Sequence, residues 1–346
     1  MNEIKLLTVS SSPHIRSKAN TRSIMLDVIL AMLPALAVSV YVFGARALFL
    51  TLVSVAACVF FEWAYRKMLH KTSSIGDLSA VVTGMLLAFC LPANAPAWLP
   101  IIGAFFAIVV VKQLYGGIGK NFVNPALAAR AFLFSWPVLM TTWMAPRSYS
   151  SIFQISAADA VTAATPMASL SAGNLPSASL LDCFFGFIGG SLGEVSALAL
   201  LLGGAYLVIF KVISPRIPLA YILTVAVLTF VFPRGNDRVL WMAYNLCGGG
   251  LMLGAIFMAT DYATSPITKN GQLIYGVGCG LLTIFIRYFG SYPEGVSYAI
   301  LIMNICVWLI DKYTLPRRFG VSKEDMKLAK EKAKQEKKNA KEAASA

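Results

Sequence analysis

The sequence predicts an all-α polytopic membrane protein with about ten transmembrane helices in two inverted five-helix repeats. Its composition, its long apolar runs and its uneven distribution of Lys and Arg all favour this fold class. Apolar residues make up 58% of the 346-residue chain, whereas charged residues make up only 13%. Soluble domains carry about 25% charged residues, so the composition argues against an ordinary soluble enzyme.

Ten apolar runs account for the transmembrane helices. A hydrocarbon core ~30 Å thick requires ~20 apolar residues per helix, and these runs are apolar on all faces, as helices in lipid are. The predicted spans are 23–44, 47–69, 78–92, 97–115, 124–144, 183–213, 217–233, 239–260, 271–290 and 294–311. The predicted organisation is an N-terminal segment 1–22, a first repeat 23–144, an external loop 145–182, a second repeat 183–314 and a basic tail 315–346.

The Lys and Arg residues between the spans orient the chain, because clustered basic residues mark the cytoplasmic side of a membrane protein. They are concentrated before the first span, after the second, after the sixth and after the tenth. Arg234 and Arg238, on the opposite side, fit this pattern least well. The pattern predicts a multi-pass protein of the cell inner membrane with both termini in the cytoplasm.

The basic, cysteine and histidine residues exclude several functions. The net charge of +13 does not indicate nucleic-acid binding, because eleven of the 29 Lys and Arg residues lie at or beyond Lys312. The tail is typical of a solvated extension, and a docking segment is the alternative. The six cysteines form no closely spaced pair, and His14 and His70 lie outside the spans. We therefore expect no zinc or iron–sulfur site and no bis-His haem.

The two halves of the chain resemble each other. With one gap, the segment KQLYGGIGKNFVNPALAARAF at 112–132 aligns with IRYFGSYPEGVSYAILIM at 286–303. Spans one to five start inside and end outside, and spans six to ten do the reverse, which is an inverted repeat. The third span stops at Pro92, and the eighth contains the glycines 248–250. Interrupted spans at matching positions favour a binding site, and close helix packing through small residues is the alternative.

The charged residues that lie in or at the ends of predicted spans include Asp27, Glu62, Arg130 and Asp261. Charge inside a membrane is costly and often marks a functional pathway. Structural alternatives exist for three of them. Glu62 and Arg66 have the spacing of an i, i+4 helical ion pair, Arg130 can extend toward the cytoplasm, and Asp261 can cap the loop after the eighth span.

The external loop 145–182 is rich in Ser, Ala and Thr and contains Asp159-Ala-Val-Thr162-Ala-Ala-Thr165. Ordinary connections run to ~6 residues, so this loop is long enough to hold a function, with a plain surface excursion as the alternative. The heptapeptide resembles the flavinylation motif Asp-x-x-Ser/Thr-Gly-Ala-Thr. That motif belongs to the family of Rnf D subunits and the related B subunits of the sodium-pumping NADH:quinone oxidoreductase. Ala163 replaces the usual Gly, which restricts the backbone.

The resemblance covers roughly residues 5–315 and includes the segments 11–36, 112–132, 259–266 and 292–304. It implies that Thr165 carries FMN through a phosphoester, with Asp159 as the leading acid of the motif and Thr162 as its hydroxyl position. A separate flavin transferase makes this bond from FAD in that family. The resemblance also implies a second, non-covalent flavin, riboflavin, near the cytoplasmic side.

The resemblance further implies a role in an Rnf-type complex that couples electron transfer between ferredoxin and NAD to Na⁺ or H⁺ translocation. The implied partners are an external FMN-bearing G subunit, membrane iron–sulfur subunits, and cytoplasmic subunits that react with NAD and ferredoxin. The chain has no Gly-rich loop after a strand, so NAD and ferredoxin chemistry is expected on those partners. No complete active site is expected on this chain, and membrane lipid surrounds it.

We expect the third, fifth and eighth spans to enclose the riboflavin near Asn124, Arg130 and Asp261, because the interrupted repeat brings polar residues to that depth. Asn124 opens the fifth span, where it is expected to be an N-cap or to contact a flavin carbonyl. Two other functions remain as alternatives. A channel or secondary transporter also uses inverted repeats, and a polytopic lipid-modifying enzyme requires a His and acid cluster for which this chain has few residues.

Overall fold

The computed structural model describes residues 20–147, 165–290 and 294–316, and in these ranges every regular element is a helix. The α-helices are α1 Thr21–Phe43, α2 Ala45–Met68, α3 Ser79–Phe89, α4 Trp98–Phe105, α5 Pro125–Leu133, α6 Pro137–Thr141, α7 Pro166–Ser171, α8 Leu180–Phe185, α9 Ala197–Ile209, α10 Arg216–Val231, α11 Arg238–Cys247, α12 Leu251–Leu253, α13 Lys269–Phe289 and α14 Val296–Thr314. Two helices continue as π-helical segments, α4 through Phe106–Gln113 and α12 through Gly254–Met258.

Among the described residues, four helices, α1, α2, α13 and α14, are long and apolar enough to cross a membrane, and α11 with α12 forms a fifth candidate bent by 59°. Only 33% of the apolar stretch of α1 is buried inside the protein. Its outer face exposes Leu26, Leu30 and Leu33, each more than 40% accessible. A continuous apolar surface of this kind requires lipid or partner helices, so the chain is a polytopic membrane protein.

The fifth and sixth predicted spans are not continuous, which corrects the prediction. The run 124–144 contains α5 and α6, and the run 183–213 contains α8 and α9. Pro137 starts α6, and proline cannot continue a preceding helix because it lacks the backbone N–H. Gly186 ends α8 with a left-handed φ of 111°, a conformation that favours glycine. Most residues of both connecting segments are apolar or small, although the second segment contains Glu194, so hydropathy averaged over a whole run does not distinguish them from helix.

The predicted interruptions of the third and eighth spans are both present. α3 ends at Phe89, and the glycines 248–250 separate α11 from α12. The chain after α3 pairs with the segment before α9, where Leu192 N donates to Leu91 O over 2.9 Å. Gly193 is required there, because a Cβ at this position would lie 2.3 Å from the Phe89 Cβ. The breaks of the third and sixth spans therefore meet inside the protein.

Helices from the two halves pack directly against each other, α1 against α9 and α5 against α14. Within the halves, α2 packs against α3 and α4, while α10 packs against α11 and α13. Glycines allow the closest approaches. A Cβ at Gly203 of α9 would lie 2.1 Å from the Ala31 carbonyl oxygen of α1. Small residues at such contacts let membrane helices gain packing energy.

Candidate functional site

A cavity of about 330 Å³ lies among the first residues of α1, α3 and α5, the last residues of α9, and the chain that follows the π-helical segment 254–258. These are the helix ends that the Lys and Arg pattern predicts to be cytoplasmic. Its walls are mainly apolar, and its polar lining residues are Thr21, Ser79, Thr83, Lys112, Asn121, Asn124, Thr260, Asp261 and Tyr262. Small-molecule sites typically have ~300–1,000 Å³, apolar walls and a few orienting polar groups.

Asn124 lines this cavity and caps α5, which confirms the N-cap prediction. Its Oδ1 accepts hydrogen bonds from Ala126 N at 3.0 Å and Leu127 N at 3.3 Å. Its Nδ2 donates to the carbonyl of Met258 at 3.2 Å. Pro125 occupies the first helical position, where the missing N–H has no intrahelical acceptor. Asn124 therefore starts α5 and ties it to the end of the eighth span.

Asp261 also lines the cavity and caps its own turn, as the structural alternative predicted. Its carboxylate accepts hydrogen bonds from the Thr264 hydroxyl at 3.2 Å and from Ala263 N at 3.5 Å. Burial raises the pKa of the Asp261 carboxyl, and the hydrogen bonds from Ala263 and Thr264 oppose that rise. The structure thus brings Asn124 and Asp261 to one cavity, as predicted.

Lys112 is a cavity-lining residue that the sequence reasoning missed. Its Nζ lies 2.7 Å from Glu62 Oε2 and donates to Ser79 Oγ over 2.6 Å. The Glu62 side chain is only 1% exposed. The predicted Glu62–Arg66 pair is wrong, since Arg66 instead donates to the Thr72 carbonyl. A buried carboxylate requires a buried partner, and Lys112 supplies it from 50 residues away in sequence. The only local signal is a Lys at the end of an apolar run.

Arg130 does not line the cavity, which corrects its grouping with Asn124 and Asp261. It donates to Glu194 over 2.8 Å and to Glu294, and its side chain is 3% exposed. It therefore lies in a buried ion cluster and does not extend to the cytoplasm. The reason is geometric, because six residues of helix after Asn124 place Arg130 ~9 Å deeper at 1.5 Å per residue.

The break in the eighth span is covered by a second buried arginine. Arg287 of α13 donates to the carbonyls of Asn245 at 2.7 Å and Gly248 at 3.2 Å. A cation at this place offsets the partial negative charge at the end of α11. The carbonyl of Glu294 also accepts a hydrogen bond from Arg287 at 3.1 Å. Arg287 therefore supplies hydrogen-bond donors to the carbonyls of Gly248 and Gly249 in the unwound segment.

Thr165, the last residue of the motif, is the first described residue after the gap at 148–164, while Asp159 and Thr162 lie outside the described residues. It caps the short helix α7, and its hydroxyl accepts a hydrogen bond from Ala168 N at 3.3 Å. Its side chain is buried, with 9% of the residue exposed. Met167 packs beside Gly249, at the break of the eighth span. α7 therefore rests on the first half of this span, whereas the cavity borders its last residues.

The family model described as the NQR2, RnfD, RnfE family matches residues 8–320. The chain belongs to this family. It is 53% identical over 327 residues to the D subunit of the Na(+)-translocating ferredoxin:NAD(+) oxidoreductase complex of Acetobacterium woodii, covering 93% of this chain and 98% of the relative. It is 42% identical to the D subunit of the proton-translocating ferredoxin:NAD(+) oxidoreductase complex of Clostridium ljungdahlii, covering 91% and 96%.

A third member of the family, the D subunit of the ion-translocating oxidoreductase complex of Stutzerimonas stutzeri, is 40% identical and covers 88% of this chain and 93% of the relative. The resemblance inferred from the sequence motifs is confirmed. The A. woodii relative is named for Na⁺ and the C. ljungdahlii relative for protons. Membership of the family therefore does not by itself specify the transported ion.

Proposed function

We propose that this chain is the D subunit of an Rnf-type membrane complex that couples electron transfer between ferredoxin and NAD to Na⁺ or H⁺ translocation. The observation that carries this proposal is the 53% identity over 93% of the chain to a protein named as such a subunit. Family membership favours this function over a simple channel, a secondary transporter or a lipid-modifying enzyme. In this proposal, the G subunit, the iron–sulfur subunits and the NAD- and ferredoxin-reactive subunits are its partners.

The proposed topology has ten spans in two inverted repeats, with both termini in the cytoplasm and the segment 145–182 outside. Three features of the described residues support it. Spans three and eight are interrupted at matching positions. The equivalent helices α1 and α9 pack together, as do α5 and α14. The cavity lies at the helix ends that the basic residues assign to the cytoplasm.

Thr165 is the proposed attachment site of FMN. Its hydroxyl oxygen would attack the FMN phosphorus of FAD, the pyrophosphate bond would break, and AMP would leave with its own phosphate while a base of the transferase takes the hydroxyl proton. Because this hydroxyl caps α7 and is buried, the first turn of α7 must open for the reaction. Loss of an N-cap costs about 1 kcal/mol, so such opening is energetically accessible before α7 docks.

The test of the covalent site is a Thr165→Ala variant of the assembled complex. We expect its flavin-bearing band to lose fluorescence on a denaturing gel and electron transfer to stop, while the helices remain folded. Thr165→Ser keeps a hydroxyl and is expected to retain fluorescence at a lower yield. Flavin that remains covalently bound to the Thr165→Ala chain would refute the assignment and leave Thr162 or Ser169 as the acceptor.

The cavity at the cytoplasmic helix ends is the proposed riboflavin site. Its volume and apolar walls suit a planar ring system, and Lys112, Asn124 and Asp261 supply polar groups at its edge. The bound flavin would supply one- and two-electron redox chemistry, while the chain's residues hold it and exclude water. Val82 and Thr83 of α3 form part of the wall, so a larger side chain on this face of α3 would reduce the volume available to the flavin.

The cavity assignment is tested by filling the cavity. Val82→Phe adds a ring at a lining position, whereas Val81→Phe makes the same change at a neighbouring residue that is not part of the cavity wall. We expect the amount of non-covalent riboflavin per polypeptide to fall in Val82→Phe and to stay unchanged in Val81→Phe. Equal riboflavin content in Val82→Phe and the unmodified protein would place the flavin elsewhere.

A further inference from the structure

We propose that Lys112 sets the reduction potential of the flavin in the cavity, and that Glu62 moderates the effect by offsetting part of the lysine charge. Lys112 would thus act on the flavin through its fixed positive charge and would take no part in the electron transfer itself. The inference rests on the proposed function, because it requires a redox flavin in this cavity.

The geometry of Lys112 leaves it able to act on a ligand. An ammonium group has three N–H donors. Among the described residues, two acceptors engage it, Glu62 Oε2 at 2.7 Å and Ser79 Oγ at 2.6 Å. Lys112 also lines the cavity. Two donors therefore fix the position of the ammonium group, and the third has no acceptor among the described residues, so a ligand in the cavity could accept it.

The cavity wall carries a buried positive charge. Of the described lining residues, Lys112 alone is cationic, and Asp261 is the only carboxylate. The Lys112 side chain is 4% exposed, so little water screens it. Charges interact several times more strongly near a protein interior than in bulk water. Addition of an electron would give a bound flavin negative charge, and the fixed cation at the cavity wall would stabilise that form.

Glu62 contacts Lys112 without lining the cavity. It pairs with the ammonium group and accepts a hydrogen bond from Ser74. Glu62 is not among the lining residues, so its replacement changes the charge without changing the shape of the cavity. Removal of the lysine charge should make the flavin harder to reduce, whereas removal of the carboxylate charge should make it easier to reduce. A merely structural role for the pair does not predict shifts of opposite sign.

The experiment is a mediated dithionite titration of the purified complex, followed by visible absorption. The relevant component of the titration curve is the one that disappears in the cavity-filling variant Val82→Phe, and the other flavins serve as internal references. The variants are Lys112→Met, Lys112→Arg and Glu62→Gln. Lys269→Met is the matched control, because Lys269 is exposed at the start of α13 on the same side and does not line the cavity.

We expect Lys112→Met to lower the reduced-to-oxidised ratio of this flavin at a fixed potential by about tenfold, which corresponds to about 59 mV for a one-electron couple. Glu62→Gln should shift the ratio in the opposite direction. Lys112→Arg, which keeps the charge, and Lys269→Met should both titrate like the unmodified complex. Glutamine can still accept the hydrogen bond from Ser74, so we expect Glu62→Gln to fold. Its flavin potential therefore tests the role of Lys112 even if Lys112→Met fails to fold or loses its flavin.

An unchanged potential in Glu62→Gln, or a Lys112→Met complex with full flavin content and an unchanged potential, would overturn the role of Lys112. Shifts of equal sign in both variants would also overturn it, because they would report a general distortion of the cavity. If the unmodified complex has no flavin component that depends on Val82, the cavity assignment itself is wrong. The two failures are therefore distinguishable.

Discussion

Replacement of Arg130 by Leu tests the placement of this residue in an ion cluster and not in the flavin cavity. Arg130 joins Glu194 of the sixth-span break to Glu294 of the turn before α14, and its side chain is 3% exposed. Arg130→Leu leaves the Glu194 side chain, 6% exposed, without its cation. Breaking a buried ion pair from one side costs about 3–5 kcal/mol. We expect a loss of stability of that order and no loss of riboflavin from the molecules that remain folded.

The assay is thermal or denaturant unfolding of the detergent-solubilised complex, with flavin content measured on the folded fraction. The triple variant Arg130→Met with Glu194→Gln and Glu294→Gln removes the unpaired charges. This variant leaves no buried charge without a partner, so it should regain part of the stability that Arg130→Leu loses. A stable Arg130→Leu protein that has lost its riboflavin would refute the separation of the two sites and restore Arg130 to the cavity.

Three further predictions concern the fold. Asn124→Ala removes the N-cap of α5 and should lower the unfolding free energy by about 1 kcal/mol, measured by the same unfolding assay. Gly203→Ala forces a methyl group against the backbone of α1 and should destabilise the protein by about 1–3 kcal/mol, whereas Gly190→Ala, where nothing lies within 4 Å, should have little effect. A reporter fused after Ser169 should be extracytoplasmic and one fused at Ala346 cytoplasmic. Both reporters on the same side would contradict the inverted arrangement.

The sequence by itself determined the fold class, the family and the start of α5. Each helix in lipid must satisfy its own backbone hydrogen bonds and present apolar side chains, so hydropathy reports membrane spans from local sequence alone. The N-cap role of Asn124 depends on two neighbouring backbone N–H groups, and it is equally local. The interruption at the glycines 248–250 was predictable for the same reason, because glycine permits the left-handed backbone found at Gly249 and Gly250.

Only the tertiary structure decided how the buried charges are paired. Lys112 and Glu62 are 50 residues apart, and Arg130 is 64 residues from Glu194. No periodicity links such positions, and the local rule for Glu62 gave the wrong partner. The breaks inside the fifth and sixth predicted spans also required the structure, since the flanking apolar residues keep the average hydropathy of each run as high as that of a helix. Burial makes an unpaired charge costly, so each buried charge needs a partner of opposite charge. Which residue is the partner depends on how the helices pack and not on sequence spacing.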